Sequence, residues 1–226
     1  VWTDGNGYFI AVGDNGMVYI KDGYSAGWEY STAPTDFHFY KVVGVSKNEM
    51  YFIGYKNIAI GGISYYQIWK YYNENWYVLY DSQDTTGNVL SIHESSIGDI
   101  GAVRCELTDS LKLYVMGWES YLFESKGDSL NFSATNLSEL GLPLRSMGRT
   151  ALRIFLFSPN DYWVMGSKYN FFHWNGTDYQ AMYIPGVPSN IDHSGSHKRM
   201  VKTKTGKIFF PTEVSLQVYV IAQGAP

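Results

Sequence analysis

Residues 8–23 read YFIAVGDNGMVYIKDG, and this stretch decides the fold of the chain. An apolar strand ends in Val12-Gly13, a short polar turn follows, and a second apolar strand leads to a Lys-Asp-Gly turn. Tight hairpin turns need a backbone with positive φ, which Gly and Asn adopt most easily. The stretch therefore predicts a β-hairpin whose turn is Asp14-Asn15-Gly16.

The same pattern recurs along the chain. Apolar strands end in glycine at four positions, and a proline stands where a fifth glycine would fall: Gly13, Gly54, Gly117, Gly166 and Pro211. Successive positions differ by 41, 63, 49 and 45 residues, and the longest interval contains one insertion, residues 81–98. A period of about 40–50 residues is typical of propeller blades.

Further strands surround each of these hairpins. One apolar segment precedes the anchor (40–45, 102–107, 152–157 and 199–203), and another follows an aromatic residue (28–32, 76–80, 131–135 and 179–184). Four short strands per repeat is the content of a propeller blade. We therefore predict an all-β fold, a β-propeller of about five four-stranded blades in one domain, with repeats 1–36, 37–99, 100–148, 149–197 and 198–226. Five repeats either close a ring or belong to a larger one, and a two-sheet sandwich is the alternative fold.

Residues 8–28 resemble the Asp-box propellers, the group that includes bacterial neuraminidase repeats and photosystem-assembly-factor-like propellers. Their repeat runs from an apolar strand through Val-Gly and a turn to Ser-x-Asp-x-Gly-x-x-Trp. The matching segments here are Val12-Gly13, Asp22-Gly23 before Trp28, and Ser125-Lys126-Gly127-Asp128 before Phe132. No box is complete, and two further repeats keep only a polar turn and an aromatic. Box residues in that family form turns, so the resemblance implies the fold and not an activity.

Composition excludes several classes of protein. Apolar residues make up 45% of the 226 residues and charged residues 17%, which excludes a chain that is disordered throughout. The net charge of -4 argues against binding to nucleic acid or anionic membranes. The single cysteine, Cys105, excludes a disulfide framework within the chain. No apolar run is long enough to predict a membrane span.

Carboxylates in the connections between repeats are the candidate catalytic groups. A glycoside hydrolase needs two carboxylates on either side of the scissile bond. The candidates are Asp81, Asp84, Glu94, Asp99 and Asp192. Carboxylates in loops are commonly solvated or form Asx turns, and the Arg-Ile-Pro motif of sialidases is absent. The sequence therefore predicts no catalytic residue, and a propeller-type glycoside hydrolase or lyase is kept as an alternative.

Histidines in the same connections are the candidate metal ligands. His93 is followed by Glu94, and His193 lies four residues before His197. Both pairs are predicted in loops, and the helical zinc motif of metalloproteases is absent. We therefore expect neither a metal site nor a cofactor.

Exposed aromatic residues are the main positive signal. In a propeller, the turns between second and third strands share one face with the links between blades. These turns place flat aromatic rings beside Asn, Glu and Lys, a combination that suits sugar rings. The predicted ligand-binding residues are Tyr55, Trp118, Glu119, Lys168, Tyr169, His93 and Asp99.

The predicted function is a non-catalytic propeller that recognises a carbohydrate or a protein partner, in an extracytoplasmic or secreted location. Three glycosylation triplets, at Asn131, Asn136 and Asn175, would be used if the source is eukaryotic and secreted. The chain begins at Val1 within a strand pattern, which indicates a removed leader or a longer parent protein. A structural or assembly segment of a larger extracellular protein is therefore a further alternative, and an oligomer or larger assembly is compatible with it.

Overall fold

The structure is a computed structural model, and it describes residues 1–57, 64–84, 86–92, 97–105, 110–117, 121–126, 130–136, 153–165, 171–182, 201–202 and 208–209. All regular secondary structure in these ranges is β-strand, which confirms the predicted all-β class. Within the same ranges no helix has the length and apolar character needed to cross a membrane.

The strands form four antiparallel four-stranded sheets, here called blades 1 to 4, each with its strands in chain order. Blade 1 contains β1 (Trp2–Thr3), β2 (Tyr8–Val12), β3 (Met17–Asp22) and β4 (Glu29–Thr32). Blade 2 contains β5 (His38–Ser46), β6 (Glu49–Asn57), β7 (Ser64–Tyr72) and β8 (Asn75–Asp81). Blade 3 contains β9 (Ile97–Cys105), β10 (Ser110–Gly117), β11 (Tyr121–Lys126) and β12 (Ser133–Asn136). Blade 4 contains β13 (Arg153–Ser158), β14 (Asp161–Met165), β15 (Phe171–Trp174) and β16 (Tyr179–Met182), and the fifth repeat contributes the pair β17 (Val201–Lys202) and β18 (Ile208–Phe209).

Burial is most continuous in the second strand of blade 2 and lowest in the outermost strand of blade 1. In β6, six consecutive residues from Glu49 to Gly54 are buried, whereas all four residues of β4 are exposed. A strand covered on both faces needs an apolar residue at nearly every position, because neither face meets water. This requirement explains the continuous apolar runs that precede the anchor glycines.

Three hydrophobic clusters lie between successive blades. Ile10 and Val18 of blade 1 pack with Phe52 and Trp69 of blade 2. The other face of blade 2 packs on blade 3 through Tyr51, Ile53, Ile68, Leu111, Leu113 and Phe123. Blade 3 packs on blade 4 through Tyr114, Met116, Ile154, Tyr162 and Val164. Blades 2 and 3 are thus buried on both faces, as stacked sheets require.

The innermost strands of successive blades meet along one line. Strand β5 contacts both β1 and β9, and β9 contacts β13. The approach is close at Gly101, where a Cβ atom would lie 2.8 Å from Leu156 Cδ1 and 3.0 Å from Ile154 Cγ2. A side chain at this position would require the side chains of Leu156 and Ile154 to shift. Similar sheets that share a line of innermost strands are the architecture of a β-propeller.

Strand β9 begins at Ile97, whereas the sequence predicted this strand over residues 102–107. Ile97 and Ile100 are buried in the cluster between blades 2 and 3, and this burial extends the strand towards its start. Gly98, Asp99 and Gly101 have low strand propensity, which conceals the strand in the sequence. Asp99 therefore lies within a strand and not in a connection between repeats.

Candidate functional site

The turn between β2 and β3 is joined to the link that leads into blade 2. Gly16 N–H donates to Phe37 O at 2.8 Å, and Phe39 N–H donates to Gly13 O at 3.0 Å. Ala33 N–H in turn donates to Gly16 O at 2.8 Å. The expectation that these turns and the inter-blade links share one face is met at this junction. We call this surface the inter-blade face.

The geometry of this turn follows from its two central residues. Asn15 and Gly16 have φ values of 54° and 69°, and Met17 N–H donates to Asp14 O at 3.0 Å. Positive φ at both central residues is typical of a type I′ turn, and it confirms the tight turn with positive φ that the sequence predicts. A Cβ atom at Gly16 would lie 2.5 Å from Thr35 O, so the packed link also requires glycine. The turn thereby holds Asp14 beside the start of β5.

Three ring side chains gather on the inter-blade face, and we call His38, Tyr40 and Tyr55 the Tyr55 shelf. His38 lies opposite Tyr55 in the register of β5 and β6, with ring centroids 5.6 Å apart. The Tyr40 and Tyr55 centroids are 5.7 Å apart. Tyr55 is half-buried, and Tyr40 is 39% exposed. The rings thus form a surface that a ligand can reach from solvent.

A β-bulge aims Tyr40 at the shelf. The register pairs Phe39 with Gly54 and Lys41 with Ile53, which leaves Tyr40 as the extra residue. The Tyr40 hydroxyl donates to Ile97 O of blade 3. His38 is fixed in a similar way, because its Nδ1 lies 3.0 Å from Asp14 Oδ1. Two of the three rings are therefore held by polar contacts to neighbouring blades.

Asp14 contacts the shelf through His38, and the Asp36–Lys56 ion pair lies close by in the chain. Asp14 is 81% exposed, and Asp36 forms an ion pair with Lys56 across the link and β6. Hydrogen bonding to Lys56 holds the pKa of Asp36 below its usual value. Carboxylates accept hydrogen bonds and an ammonium group donates them. These side chains can therefore bind a hydroxyl that acts as a donor and one that acts as an acceptor.

Replacing Lys56 by Met is expected to raise the pKa of Asp36, because the ammonium that stabilises the carboxylate is removed. The measurement is the pH titration of the Asp36 carboxyl carbon by NMR. Lys47→Met is the matched control, since Lys47 pairs with Asp22 at 3.9 Å and not with Asp36. Equal Asp36 titrations in both variants would contradict the assignment of the ion pair.

Of the predicted ligand-binding residues, Tyr55 lies on the shelf, but within β6 and not in the turn where it was predicted, because β6 stays paired with β7 as far as Asn57. Trp118, Glu119, Lys168, Tyr169 and His93 lie outside the described residues, and their predicted role stays a prediction. Glu94, Asp192, His193 and His197 also lie outside them. Within the described ranges, no group of three or more His, Cys, Asp and Glu side chains is arranged to hold a metal ion.

Asp99 is fully buried and holds three innermost strands together. Lys41 Nζ of β5 lies 2.6 Å from its Oδ1. The Ile154 N–H of β13 donates to Oδ2 at 3.0 Å, and the Ile100 N–H donates to Oδ1 at 3.0 Å. The carboxylate is thus engaged within the protein and does not lie on the exposed rim. Its binding role stays a prediction, whereas its structural role follows from these contacts.

Two other candidate carboxylates form local structure. Asp81 Oδ2 accepts from Gln67 Nε2 at 2.6 Å, and its Oδ1 accepts from Gln83 N–H at 2.8 Å. Asp84 Oδ1 accepts from the N–H and hydroxyl of Thr86, and these bonds lower the pKa of Asp84. The bonds to Gln83 and Thr86 are the Asx-type contacts common in loops, whereas Gln67 lies opposite Asp81 in the register of β7 and β8. None of them brings two carboxylates together across a cleft.

Sequence analysis missed His38, Tyr40 and Asp36 as members of the site. A signal was present, because His38 and Tyr40 stand at the start of the strand that follows an inter-blade link. The start of that strand must lie on the same face as the link. Residues at the start of each innermost strand therefore belong among the candidates in any propeller sequence.

Comparison of the sequence with family profiles and with curated proteins gives no match. Solved structures do match the fold. The structure of YCF48 from Cyanidioschyzon merolae superposes with a TM-score of 0.55 and 14% identity, over 88% of this chain and 58% of that chain. The chain thus spans 58% of the length of that structure.

Two further structures have lower similarity. The WD40 β-propeller domain of Doa1 matches with a TM-score of 0.45 and 9% identity, over 97% of this chain and 80% of that chain. A lectin of Aleuria aurantia, described as a six-bladed β-propeller with a fucose recognition mode, has a TM-score of 0.44 and 13% identity. It is matched over 83% of this chain and 58% of its own. At such identities a structural likeness bears on fold and not on ligand, and the fold of this chain is a β-propeller.

Proposed function

We propose that this chain is a non-catalytic binding propeller that takes a carbohydrate on the Tyr55 shelf. The observation that carries the proposal is the arrangement of His38, Tyr40 and Tyr55, in which the Tyr55 ring packs with both of the others while all three stay partly exposed. Rings that the fold already holds in place lose little conformational freedom when a ligand binds to them. This pre-organisation is what a weakly hydrophobic ligand such as a sugar requires.

The chemistry around the rings supports a sugar. The apolar face of a sugar ring packs on an aromatic side chain, while its hydroxyls need donors and acceptors at the edge. Tyr55 offers the ring, and Asp14, Asp36 and Lys56 offer the polar edge. The proposal keeps the sequence-based expectation of an extracytoplasmic location, which fractionation of source cells tests.

Tyr55→Ala is expected to weaken carbohydrate binding by about tenfold or more, the usual effect of losing a central aromatic residue. The measurement is a glycan array on the purified chain, followed by calorimetric titration of the strongest binder. Tyr30→Ala is the matched control, because Tyr30 is 73% exposed on β4 of blade 1, whereas the shelf belongs to blade 2. An array without a binder, or equal losses in both variants, would overturn the proposal.

A protein partner is the second candidate, and a different surface favours it. Tyr24, Trp28 and Tyr30 are 69%, 52% and 73% exposed near the outer edge of blade 1. Exposed Tyr and Trp side chains are enriched at protein interfaces. In that case the same two variants give the opposite result: Tyr30→Ala abolishes partner capture in a pull-down from source extract, and Tyr55→Ala leaves it unchanged.

A further inference from the structure

The pair formed by Asp14 and His38 determines which nitrogen of the imidazole carries the proton. Asp14 Oδ1 lies 3.0 Å from His38 Nδ1. An ionised carboxylate only accepts hydrogen bonds, so Nδ1 must be the donor. A neutral imidazole has a single N–H, and its other nitrogen, Nε2, then carries a lone pair. In neutral His38 this contact therefore leaves Nε2 as the hydrogen-bond acceptor.

The surroundings leave Nε2 available. The His38 side chain is 35% exposed, and no described residue supplies a hydrogen-bond partner for Nε2. The ring is packed on one side by Tyr55 of β6. Asp14 itself is fixed by the type I′ turn, whose Met17 N–H donates to Asp14 O. Both members of the pair are therefore positioned by backbone structure.

We propose that Asp14 is a positioning residue that holds His38 in the Nδ1–H form, so that Nε2 accepts a hydrogen bond from a ligand hydroxyl on the Tyr55 shelf. This inference rests on the proposed function and narrows it. It names a hydroxyl donor as the group that His38 selects. It also distinguishes His38 from Tyr40 and Tyr55, which offer ring faces.

The tautomer is measured without any ligand, by long-range ¹⁵N–¹H correlation NMR of the labelled chain at about pH 7.5. We expect a protonated Nδ1 and an unprotonated Nε2. Asp14→Asn is expected to shift the population towards the Nε2–H form, because the carboxylate acceptor is lost. Asp22→Asn, which changes an exposed carboxylate on β3, is the control and leaves the His38 signals unchanged. An Nε2–H form or an imidazolium in the unaltered chain would overturn the proposal.

The ligand contact is tested by two variants on an array of neutral glycans. In His38→Asn the amide reaches the position of Nδ1 but not that of Nε2, so binding is expected to fall about tenfold. In His38→Gln the amide oxygen reaches the position of Nε2, and part of the binding is retained. Equal binding by His38→Asn and the unaltered chain would overturn the contact. An array without any binder overturns the proposed function and this contact together, whereas the NMR result alone decides the tautomer.

Discussion

Replacing Glu49 by Ala is expected to lower the free energy of unfolding by about 3–5 kcal/mol. Lys70 Nζ lies 3.0 Å from Glu49 Oε1, and the Lys70 side chain is fully buried. The ammonium also lies 4.6 Å from the ring centroid of Tyr72 and 5.7 Å from that of Tyr51. Removing the carboxylate leaves a buried cation with only aromatic rings to stabilise it among the described residues. The desolvation penalty of that cation is the source of the loss.

The two partners of this pair need separate variants. Tyr51 Oη donates to Glu49 Oε1 at 2.9 Å, so Glu49→Ala also removes a buried hydrogen bond. Lys70→Met removes the cation and keeps most of the side-chain volume. The double replacement of Glu49 by Leu and Lys70 by Met is expected to cost less than Glu49→Ala alone, because no unpaired charge is left.

Chemical denaturation followed by tryptophan fluorescence measures this effect. Glu124→Ala is the matched control, since Glu124 is 48% exposed and lies 3.9 Å from Lys112. Such a surface pair contributes less than about 1 kcal/mol. If Glu49→Ala and Glu124→Ala changed the free energy of unfolding equally, Lys70 would not be a buried, paired cation.

The second large effect is expected at Asp99, whose replacement by Ala should cost about 3–5 kcal/mol. The carboxylate bonds to Lys41 of blade 2 and to the Ile154 N–H of blade 4, and it belongs to blade 3. Its loss leaves two buried backbone N–H groups, those of Ile100 and Ile154, without this acceptor. Buried donors without partners are costly because water cannot replace the lost bond.

A second variant at Asp99 tests the structural role of this residue. Asp99→Asn keeps one acceptor oxygen but turns a donor towards Lys41 or an N–H group, so we expect about half the loss seen for Asp99→Ala. Asp22→Ala is the control, since Asp22 is 67% exposed and lies 3.9 Å from Lys47. Thermal denaturation of the three variants measures the order of their stabilities. An Asp99→Ala protein as stable as the control would contradict the bridging role.

Much of the fold was predictable because it depends on local pattern. The glycine that follows β2, the glycine that closes β10 and the turn at Asn15-Gly16 are visible as residue types, whereas β6 continues past Gly54 to Asn57. Strand order within each blade then follows, since short turns join neighbouring antiparallel strands. The prediction of stacked four-stranded sheets is confirmed for blades 1 to 4.

The charged groups of the interior were not predictable by the same means. Lys70 stands within Tyr-Gln-Ile-Trp-Lys-Tyr-Tyr, and a lysine there usually reaches solvent. Its burial depends on the register that sets Lys70 opposite Tyr51, and on the adjacent blade. The same is true of Asp99, which appears as a loop carboxylate until its neighbours on β5 and β13 are known.

The candidate site was predictable only in part, because several of its contacts depend on the register of paired strands. Tyr55 follows an anchor glycine, so its place on the inter-blade face follows from the repeat. The contact between Tyr55 and Tyr40 depends on the bulge between Phe39 and Lys41, and no residue type in the sequence indicates that bulge. The pairing of His38 with Asp14 joins two blades and needs the packed turn. The ring contacts of the shelf lie within blade 2, and interactions with neighbouring blades hold His38 and Tyr40 in place.

The central claim is that a carbohydrate binds on the Tyr55 shelf, and NMR of the chain with ¹³C-labelled tyrosine rings tests it most directly. On titration with the strongest glycan of the array, the account predicts shifts of the Tyr40 and Tyr55 ring signals. The exposed rings of Tyr19, Tyr24 and Tyr30 on blade 1 should keep their signals unchanged. Shifts confined to those three blade 1 residues, or no shift at any tyrosine, would contradict the account.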